Sequence, residues 1–550
     1  MWLKSISGCF LLALQLSVFG QTAPDRYFLE FTDKAHNTFS LNRPEEFLSA
    51  RALERRVRYN IPLKNNDLPV SQYYIDSLRS LGIKIINISK WFNAVTIYSR
   101  DTALLDTIHH LSFVKNPVRN IFVKSAEISE SAKPLPDKFN IAKSMVTFDY
   151  GYSTHQIEML NGQLLHQQGY TGRNIVIAVI DAGFTGVDKL PAFDSLWKRS
   201  QILGWRDFVK DGISIFQAHS HGMHVLSIMG GNIPNVLVGT APGAKYWLLR
   251  SENGSSEYLT EEDNWVAAAE FADSAGADII NTSLGYSLFD DPLQDHSYRD
   301  MNGKTTRISI GASIAASKGI LVVVSAGNEG HNAWHYITAP ADADSVLTVG
   351  AVNPEGIIAP FSSVGPTSDG RLKPDVCAMG QGTFIEGTDG NIATGNGTSL
   401  SAPLITGLAA CLWQANPMAS NMTILKYIEE SASLYPDSNY SYGYGIPDFY
   451  KVNYLLSRVI KNDSSIAANI QMFPNPFHSY FYIELYSDKD LPVQIEIYDL
   501  YGKLISARTY SSTGRFNLLT VTGVADLPKG IYLTRVKTAD KNYTLKVIKF

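Results

Sequence analysis

The sequence is poor in cysteine: its 550 residues include three. Cys9 falls in the apolar N-terminal stretch, which leaves Cys377 and Cys411 for the rest of the chain. So few cysteines exclude a disulfide-dense scaffold. The remaining two could form one bridge or stay as two buried thiols. Neither lies in a C-x-x-C or Cys/His pattern, so no zinc-type site is predicted.

Long apolar runs and basic blocks are also missing. Beyond the N-terminus no segment approaches 18 apolar residues, which predicts no membrane span. The net charge is −5 and no basic stripe is present. This charge pattern gives no reason to expect a nucleic-acid partner.

The composition is that of an ordinary globular protein, with 45% hydrophobic and 18% charged residues. The length is sufficient for two to four domains. Residues 1–20 carry a positive Lys4, a short apolar run and a cleavage point near Gln21. That pattern predicts a secretory signal peptide, because the run is too short to span a bilayer.

Residues 21–123 are predicted to form a small α+β domain. Glu45–Arg58 has amphipathic spacing and predicts a helix, and Ala94–Tyr98 predicts a strand. Residues 124–148 are polar, contain two prolines and show little periodicity, which is typical of a linker. A linker between a small and a large folded domain is a suitable place for proteolytic processing.

Between residues 149 and 458 short apolar runs alternate with helical segments. Ile175–Ile180, Ile320–Val324 and Val346–Val352 read as buried strands. This alternation predicts an α/β domain with a doubly wound parallel sheet. In such sheets, ligand-binding side chains gather at the carboxyl ends of the strands.

Four polar residues in this domain form a candidate catalytic constellation: Asp181 follows a buried strand, His221 opens a helix, Asn328 follows a strand, and Ser399 precedes a helix. We expect Pro403 to lie in the first turn of that last helix. A serine nucleophile needs an imidazole base, a carboxylate that orients the imidazole, and donors for the oxyanion. Taken singly, Asp181 could be a turn residue, Ser399 a helix cap and Asn328 a left-handed turn.

Residues 149–458 resemble the catalytic domain of the subtilisin-like serine proteases, the subtilases, through seven motifs in chain order. These motifs are I-A-V-I-D-A-G at 177–183, H-G-M-H-V at 221–225, G-T-A-P-G-A at 239–244, N-T-S-L-G at 281–285, S-A-G-N-E-G at 325–330, K-P-D-V at 373–376 and G-T-S-L-S-A-P at 397–403.

The resemblance implies a role for each matching position. Asp181, His221 and Ser399 would be the triad, and Asn328 would be the side-chain donor to the oxyanion. Ser283, Leu284 and Gly285 would form an edge that pairs with substrate backbone, and Ala326 and Gly327 would also bind substrate. No cofactor and no metal ligand are predicted; structural calcium occurs in the family, but no dense Asp/Asn loop is present.

The family also gives the first domain a role. A subtilase propeptide assists folding and blocks the active site, and residues 21–123 have its position and size. The expected function is that of a secreted endopeptidase acting on proteins or peptides. Two alternatives stay open: a non-catalytic adhesin on the same scaffold, and a serine esterase. Against an esterase, the sequence around Ser399 is G-T-S-L-S and not the G-x-S-x-G motif.

The C-terminal part reads as a linker, 459–469, followed by an all-β sandwich over 470–550. Its motifs are F-P-N-P-F at 473–477, D-L-Y-G-K at 499–503, L-P-K-G-I-Y at 527–532 and a terminal K-V-I-K-F. They resemble the sorting domain of type IX secretion cargo. That resemblance implies export through the periplasm of a Gram-negative bacterium to the surface or medium, with the secretion machinery as a partner. The alternative is an ordinary binding module.

Overall fold

A computed structural model of the protein describes residues 21–115, 149–461 and 470–550, apart from 474, 478, 487–490, 513–515 and 539–540. The predicted signal peptide and the predicted linker 124–148 lie outside the described residues, as do 462–469 of the second predicted linker. The chain divides into two compact units, Met1–Phe449 and Tyr450–Phe550. None of the helices in the described ranges is both long and apolar enough to cross a bilayer.

The N-terminal domain is a four-stranded antiparallel sheet, in the order β1-β2-β4-β3, covered by helices. Its elements are β1 (Gln21–Ala23), β2 (Arg26–Glu30), α1 (Ala50–Arg58), α2 (Gln72–Ser80), β3 (Lys84–Ser89), β4 (Ala94–Tyr98) and α3 (Thr102–His109). The helix predicted from Glu45 begins later than expected. Ser49 caps it by accepting a hydrogen bond from the Ala52 amide, so the helix starts after that residue.

The large domain is built on a seven-stranded parallel sheet in the order β13-β12-β11-β10-β5-β9-β6. The strands of this sheet are β5 (Val176–Asp181), β6 (Ile202–Asp207), β9 (Lys245–Arg250), β10 (Ile279–Thr282), β11 (Leu321–Ser325), β12 (Leu347–Val352) and β13 (Val376–Met379). Two short hairpins add β7 (Asn232–Ile233), β8 (Leu237–Val238), β14 (Gln381–Glu386) and β15 (Ile392–Asn396).

Nine helices of the first unit accompany these strands in the described part of the large domain. They are α4 (Thr154–Glu158), α5 (Gly162–Gln167), α6 (Asp194–Lys198), α7 (Ile215–Ala218), α8 (His221–Gly230), α9 (Thr260–Ala275), α10 (Arg307–Ser317), α11 (Thr398–Ala415) and α12 (Asn421–Ser431). The predicted doubly wound parallel sheet is confirmed.

The sheet extends in both directions from β5, which lies between β9 and β10. This makes β5 a topological switch point, where the carboxyl ends of neighbouring strands leave a crevice. A continuous apolar core packs α9 and α10 against the strands, through side chains such as Trp265, Ala312 and Val324. The edge strand β6 was not predicted, because its half-exposed residues do not form a continuous apolar run.

The second unit contains two antiparallel sheets, in the orders β16-β17-β20 and β19-β18-β21-β22. Its elements are α13 (Phe449–Lys461), which starts at the last residue of the first unit, and β16 (Gln471–Phe473), β17 (Phe481–Tyr486), β18 (Leu491–Tyr498), β19 (Leu504–Ser512), β20 (Phe516–Val521), β21 (Gly530–Lys537) and β22 (Asn542–Lys549). Residues from both sheets, including Ile483, Ile495 and Val536, share one apolar core.

Candidate active site

Asp181 is the last residue of β5 and is fully buried. Its Oδ1 accepts a hydrogen bond from the Ala182 amide and lies 2.8 Å from Nδ1 of His221. A carboxylate can only accept, so the Nδ1 atom carries a proton. In the neutral ring, Nε2 is then left as a proton acceptor.

His221 is placed at Asp181 because it opens α8, and the next residue is glycine. A Cβ atom at Gly222 would lie 2.5 Å from the carbonyl oxygen of Gly183 and 2.9 Å from Cβ of Asp181. Any other side chain would therefore push the helix away from the strand end. The G of the H-G-M-H-V motif permits the hydrogen bond between imidazole and carboxylate.

Two opposing effects set the pKa of His221. Burial lowers it, but the charge of Asp181, the hydrogen bond to Asp181 and the charge of Glu252 outweigh burial and raise the pKa to about 9. The neighbouring His224 behaves in the opposite way, because burial and the charge of His221 lower its pKa to about 4. The two imidazoles of one motif are therefore electrostatically distinct.

Ser399 is the second residue of α11, so it does lie at a helix N-terminus as expected. The placement of Pro403 in the first turn was wrong, since the helix begins at Thr398 and Pro403 lies inside it. Proline has no amide to donate to the carbonyl four residues earlier, which is that of Ser399. The Ser283 hydroxyl donates to this carbonyl instead, at 2.9 Å.

Asn328 is exposed and is anchored through its oxygen. Oδ1 accepts from the amide of Thr398 at 2.9 Å and from its hydroxyl at 3.0 Å. Anchoring the oxygen fixes the direction of the Nδ2 donor. A Cβ atom at Gly397 would lie 2.9 Å from the Ser399 hydroxyl and 3.7 Å from Nδ2 of Asn328. Glycine there leaves open space that both groups border.

The structure thus joins Asp181 to His221, and Asn328 to the start of α11. Helices α8 and α11 pack against each other, and each carries its candidate residue in its first turn. Within the described residues no hydrogen bond joins the Ser399 hydroxyl to His221. Such bonds are often long in the absence of substrate.

Comparison with known proteins identifies the family. A model described as the Subtilase family matches residues 172–445. The subtilisin of Bacillus pumilus is 30% identical over 298 residues, which are 53% of this chain and 94% of that protein. Subtilisin NAT of Bacillus subtilis subsp. natto is 28% identical over 346 residues, 60% of this chain and 81% of that protein. The chain belongs to the subtilase family.

Two further models match outside the peptidase domain. One is described as the Peptidase S8 propeptide domain, Bacteroidota, and matches residues 26–136. The other is the Secretion system C-terminal sorting domain, at residues 471–549. A solved structure of MycP1 with its propeptide removed shares 23% identity at a TM-score of 0.43, over 54% of this chain and 96% of that chain. The resemblances stated from the motifs are confirmed: this subtilase is a protease with a propeptide domain and a type IX sorting domain.

The predicted substrate edge of the subtilase lies directly after β10. Ser283 and Leu284 are buried, and Gly285 is exposed. Outside the regular helices and strands, no backbone hydrogen bond described for this part of the chain uses the amide or carbonyl of these three residues. Their backbone groups are therefore available to another strand.

Ala326 and Gly327 are placed differently. Ala326 is fully buried, its amide donates to Val349, and its carbonyl accepts from Thr338. The amide of Gly327 donates to the Thr398 hydroxyl, and its carbonyl accepts from Ser363. Gly327 thus supports Thr398, and substrate binding by Ala326 and Gly327 stays a prediction.

The two cysteines of the described chain are free and fully buried. Burial raises the pKa of Cys377 to about 12, and the thiol of Cys411 donates to the Thr240 carbonyl at 3.2 Å. The alternative of a bridge between them was wrong. In the described ranges no group of three His, Cys, Asp or Glu side chains lies close enough together to hold a metal ion.

Two residues that shape the site were missed from the sequence. Thr398 orients Asn328, and nothing in the G-T-S motif indicated that role. Glu252 lies two positions after β9, close enough to raise the pKa of His221. The strand-end rule that singled out Asp181 could have found Glu252, since β9 pairs directly with β5.

Proposed function

We propose that this subtilase is a secreted serine endopeptidase that hydrolyses peptide bonds through an acyl-enzyme on Ser399. The single observation that carries the proposal is the hydrogen bond of 2.8 Å between Asp181 and His221. It leaves the other ring nitrogen free to accept a proton, at the crevice where α11 presents a serine.

The expected steps follow from these positions. His221 takes the Ser399 proton as the hydroxyl attacks the scissile carbonyl, and Asp181 stabilises the imidazolium. Nδ2 of Asn328 and the Ser399 amide donate to the oxyanion. His221 then gives the proton to the leaving amine, and water hydrolyses the ester by the same route. The positive end of α11 favours the developing negative charge.

We also propose that residues 21–123 act as an intramolecular inhibitor that is removed by cleavage within 124–148. The domain packs against α9 of the peptidase domain. Glu270 accepts hydrogen bonds from the hydroxyl of Ser89 at 2.6 Å and from the amides of Lys90 and Trp91 at 2.7 and 2.9 Å. Such contacts support a docked, cognate propeptide.

The proposed maturation follows the domain order. Residues 1–20 direct export into the periplasm, 149–458 form the protease, 459–469 link it to the tail, and 470–550 direct the protein to the secretion machinery. The product is a secreted or surface-bound enzyme of a Gram-negative bacterium. The sorting domain found by comparison supports this route.

The test uses the full chain expressed in a type IX-secreting host, compared with Ser399→Ala. We expect the parent protein to react with a fluorophosphonate probe and to degrade denatured casein. The variant should lose both, with activity falling about 10⁶-fold, as when the nucleophile of subtilisin, a relative, is removed. Ser401→Ala is the matched control, since Ser401 lies on the same helix and its hydroxyl donates only to the Thr398 carbonyl within the described part of the chain.

Unchanged casein hydrolysis in Ser399→Ala would reject the proposed nucleophile. Absence of probe labelling and of proteolysis in the parent protein would favour the adhesin. N-terminal sequencing of the secreted protein tests maturation: a start near Gln21 with full activity would reject removal of the propeptide.

A further inference from the structure

Three carboxylates cluster in the two loops beside the crevice. Glu252 and Glu257 lie between β9 and α9, and Asp290 lies opposite, where its side chain accepts from the Glu257 amide at 3.0 Å. Burial and the charges of Glu252 and Asp290 raise the pKa of Glu257 to about 8. Among the ion pairs of the described residues, none gives Glu252 or Glu257 a Lys or Arg partner.

A fourth carboxylate, Glu261, gives an independent sign that a ligand is missing. The residue is 2% exposed, and among the described residues its Oε1 accepts only from the Asn253 amide, at 3.2 Å. In the described structure its Oε2 has no hydrogen-bond partner. The buried hydroxyls of Ser251, in the loop before α9, and Thr260, the first residue of α9, are also without partners there. Buried polar atoms left unpaired are costly, so the segment from Ser251 to Glu261 favours a polar ligand.

The cluster lies next to the proposed catalytic groups. Asp181 pairs in register with Arg250, and the Ser251 amide donates to the Asp181 carbonyl at 3.0 Å. On the other side, the Tyr286 hydroxyl donates to Oε1 of Glu252 at 2.9 Å. Tyr286 directly follows the open backbone edge that ends at Gly285. A substrate strand paired with that edge would therefore pass beside the carboxylates.

The propeptide already brings one cation towards the cluster. Burial lowers the pKa of Arg26, while the charges of Glu261, Asp211 and Asp207 raise it. The Arg26 side chain donates to the Val209 carbonyl at 3.4 Å, so this guanidinium is not fixed by a close ion pair. Arg26 is therefore a cation of the propeptide domain on which the charge of Glu261 acts. Removal of the propeptide would also remove Arg26.

We propose that Glu252, Glu257 and Glu261 form a subsite for a basic substrate side chain, Lys or Arg, carried by the segment that pairs with the 283–285 edge. The inference deepens the proposed function and rests on it. A guanidinium or ammonium on a long stem supplies several donors, which suits carboxylates and hydroxyls spread along the loop before α9 and its first turn. The hydrogen bonds formed are charge-assisted, and they neutralise a site whose members otherwise repel one another.

The experiment uses the secreted, processed protein, with active sites counted by titration with a fluorophosphonate. Cleavage-site profiling of a peptide library first finds the position at which Lys and Arg are enriched. Two peptides are then compared that differ only by Arg against citrulline, a neutral isostere, at that position. We expect kcat/KM to favour arginine by about tenfold, since hydrogen bonds to charged groups are of that strength.

The arginine-to-citrulline ratio should fall towards one in Glu261→Gln and in Glu257→Gln. The half-buried Glu257 gives a second variant that keeps the test valid if Glu261→Gln fails to fold. Glu355→Gln is the charge-matched control, because Glu355 lies in an exposed turn after β12. That control should leave the ratio unchanged.

A ratio near one in the parent protein would overturn the inference. An unchanged ratio in both variants would also overturn it. If the propeptide then inhibited those variants more weakly than the parent protein, the carboxylates would be assigned to propeptide docking. Calcium-dependent thermal stability lost in the variants, without loss of arginine preference, would assign them to a metal ion. Failure of probe labelling would instead reject the proposed function, so the two failures are distinguishable.

Discussion

Two buried acidic side chains of helix α9, Glu261 near its start and Asp273 near its end, have opposite surroundings. At its start, Glu261 has a buried oxygen with no hydrogen-bond partner in the described structure. Near its end, the equally buried Asp273 pairs with three cations of the propeptide domain: Arg55 at 2.6 Å, Arg56 at 2.9 Å and Lys90 at 3.2 Å. Cations of the propeptide domain pair with Asp273, whereas Glu261 keeps an unpaired oxygen in the described structure.

The charges around the two side chains explain this difference. Burial and the charges of Glu252 and Glu257 raise the pKa of Glu261 to about 10. Burial alone would raise the pKa of Asp273, but the charges of Lys90, Arg56 and Arg55 hold it well below the usual range. The comparison teaches that the propeptide supplies the positive charge that the C-terminal end of α9 lacks.

The largest effect on stability is expected at Asp273, the paired side chain near the end of α9. In the unprocessed Ser399→Ala chain, Asp273→Ala leaves buried cations without their main counter-ion. We expect the free energy of unfolding of the docked domains to fall by about 3–5 kcal/mol, as for buried pairs that lose one partner. Denaturant unfolding followed by tryptophan fluorescence measures it. Asp188→Ala, at an exposed position, is the control, and equal losses in the two variants would refute the role of Asp273.

A smaller effect is expected at Glu270, one helical turn before Asp273. Glu270→Ala removes the acceptor of two propeptide amides and one hydroxyl, and buried amides without acceptors are costly. We expect a loss of about 2 kcal/mol in the same background. Glu270→Gln keeps one acceptor oxygen and should lose less. If both substitutions cost nothing, the hydrogen bonds of Glu270 do not hold the propeptide.

The carboxylates in the loop before α9 can be tested through the pH dependence of activity. Protonated His221 cannot accept the Ser399 proton, so kcat/KM should rise with pH as the ring deprotonates near its pKa of about 9. The charge of Glu252 raises that pKa, hence Glu252→Gln should shift the rising limb to lower pH, by up to about one unit. A pH–rate profile with a neutral peptide measures the shift. A limb that stays in place or moves to higher pH contradicts the argument.

The smallest effect is expected at Arg26, the propeptide cation near the start of α9. Arg26→Gln removes an attraction that involves no close ion pair. The unprocessed chain should lose about 0.5–1 kcal/mol, within the range of weak charge pairs. A loss as large as that of Asp273→Ala would mean that both ends of α9 hold the propeptide equally. The contrast between Glu261 and Asp273 would then be wrong.

Much of the candidate site could be predicted from the sequence. Asp181, His221, Asn328 and Ser399 all follow or precede buried apolar runs, and a parallel sheet places such residues at one edge. The course of α11 could not be predicted. Pro403 was read as a helix start, yet the helix tolerates it because the Ser283 hydroxyl occupies the carbonyl that proline leaves unpaired. That compensation comes from a residue far away in the chain.

Local patterns determined the kinds of element and their order: a parallel sheet, a propeptide-like α+β domain and a β-rich tail. They also determined which side chains could act as nucleophile, base and acid. Only the tertiary structure decided which charges are paired. Asp273 and Glu261 lie on one helix and look alike in sequence, but the propeptide gives the first its cations, while an oxygen of the second has no hydrogen-bond partner among the described residues. Electrostatic free energy depends on distance and solvent exposure, and neither follows from the order of residues along the chain.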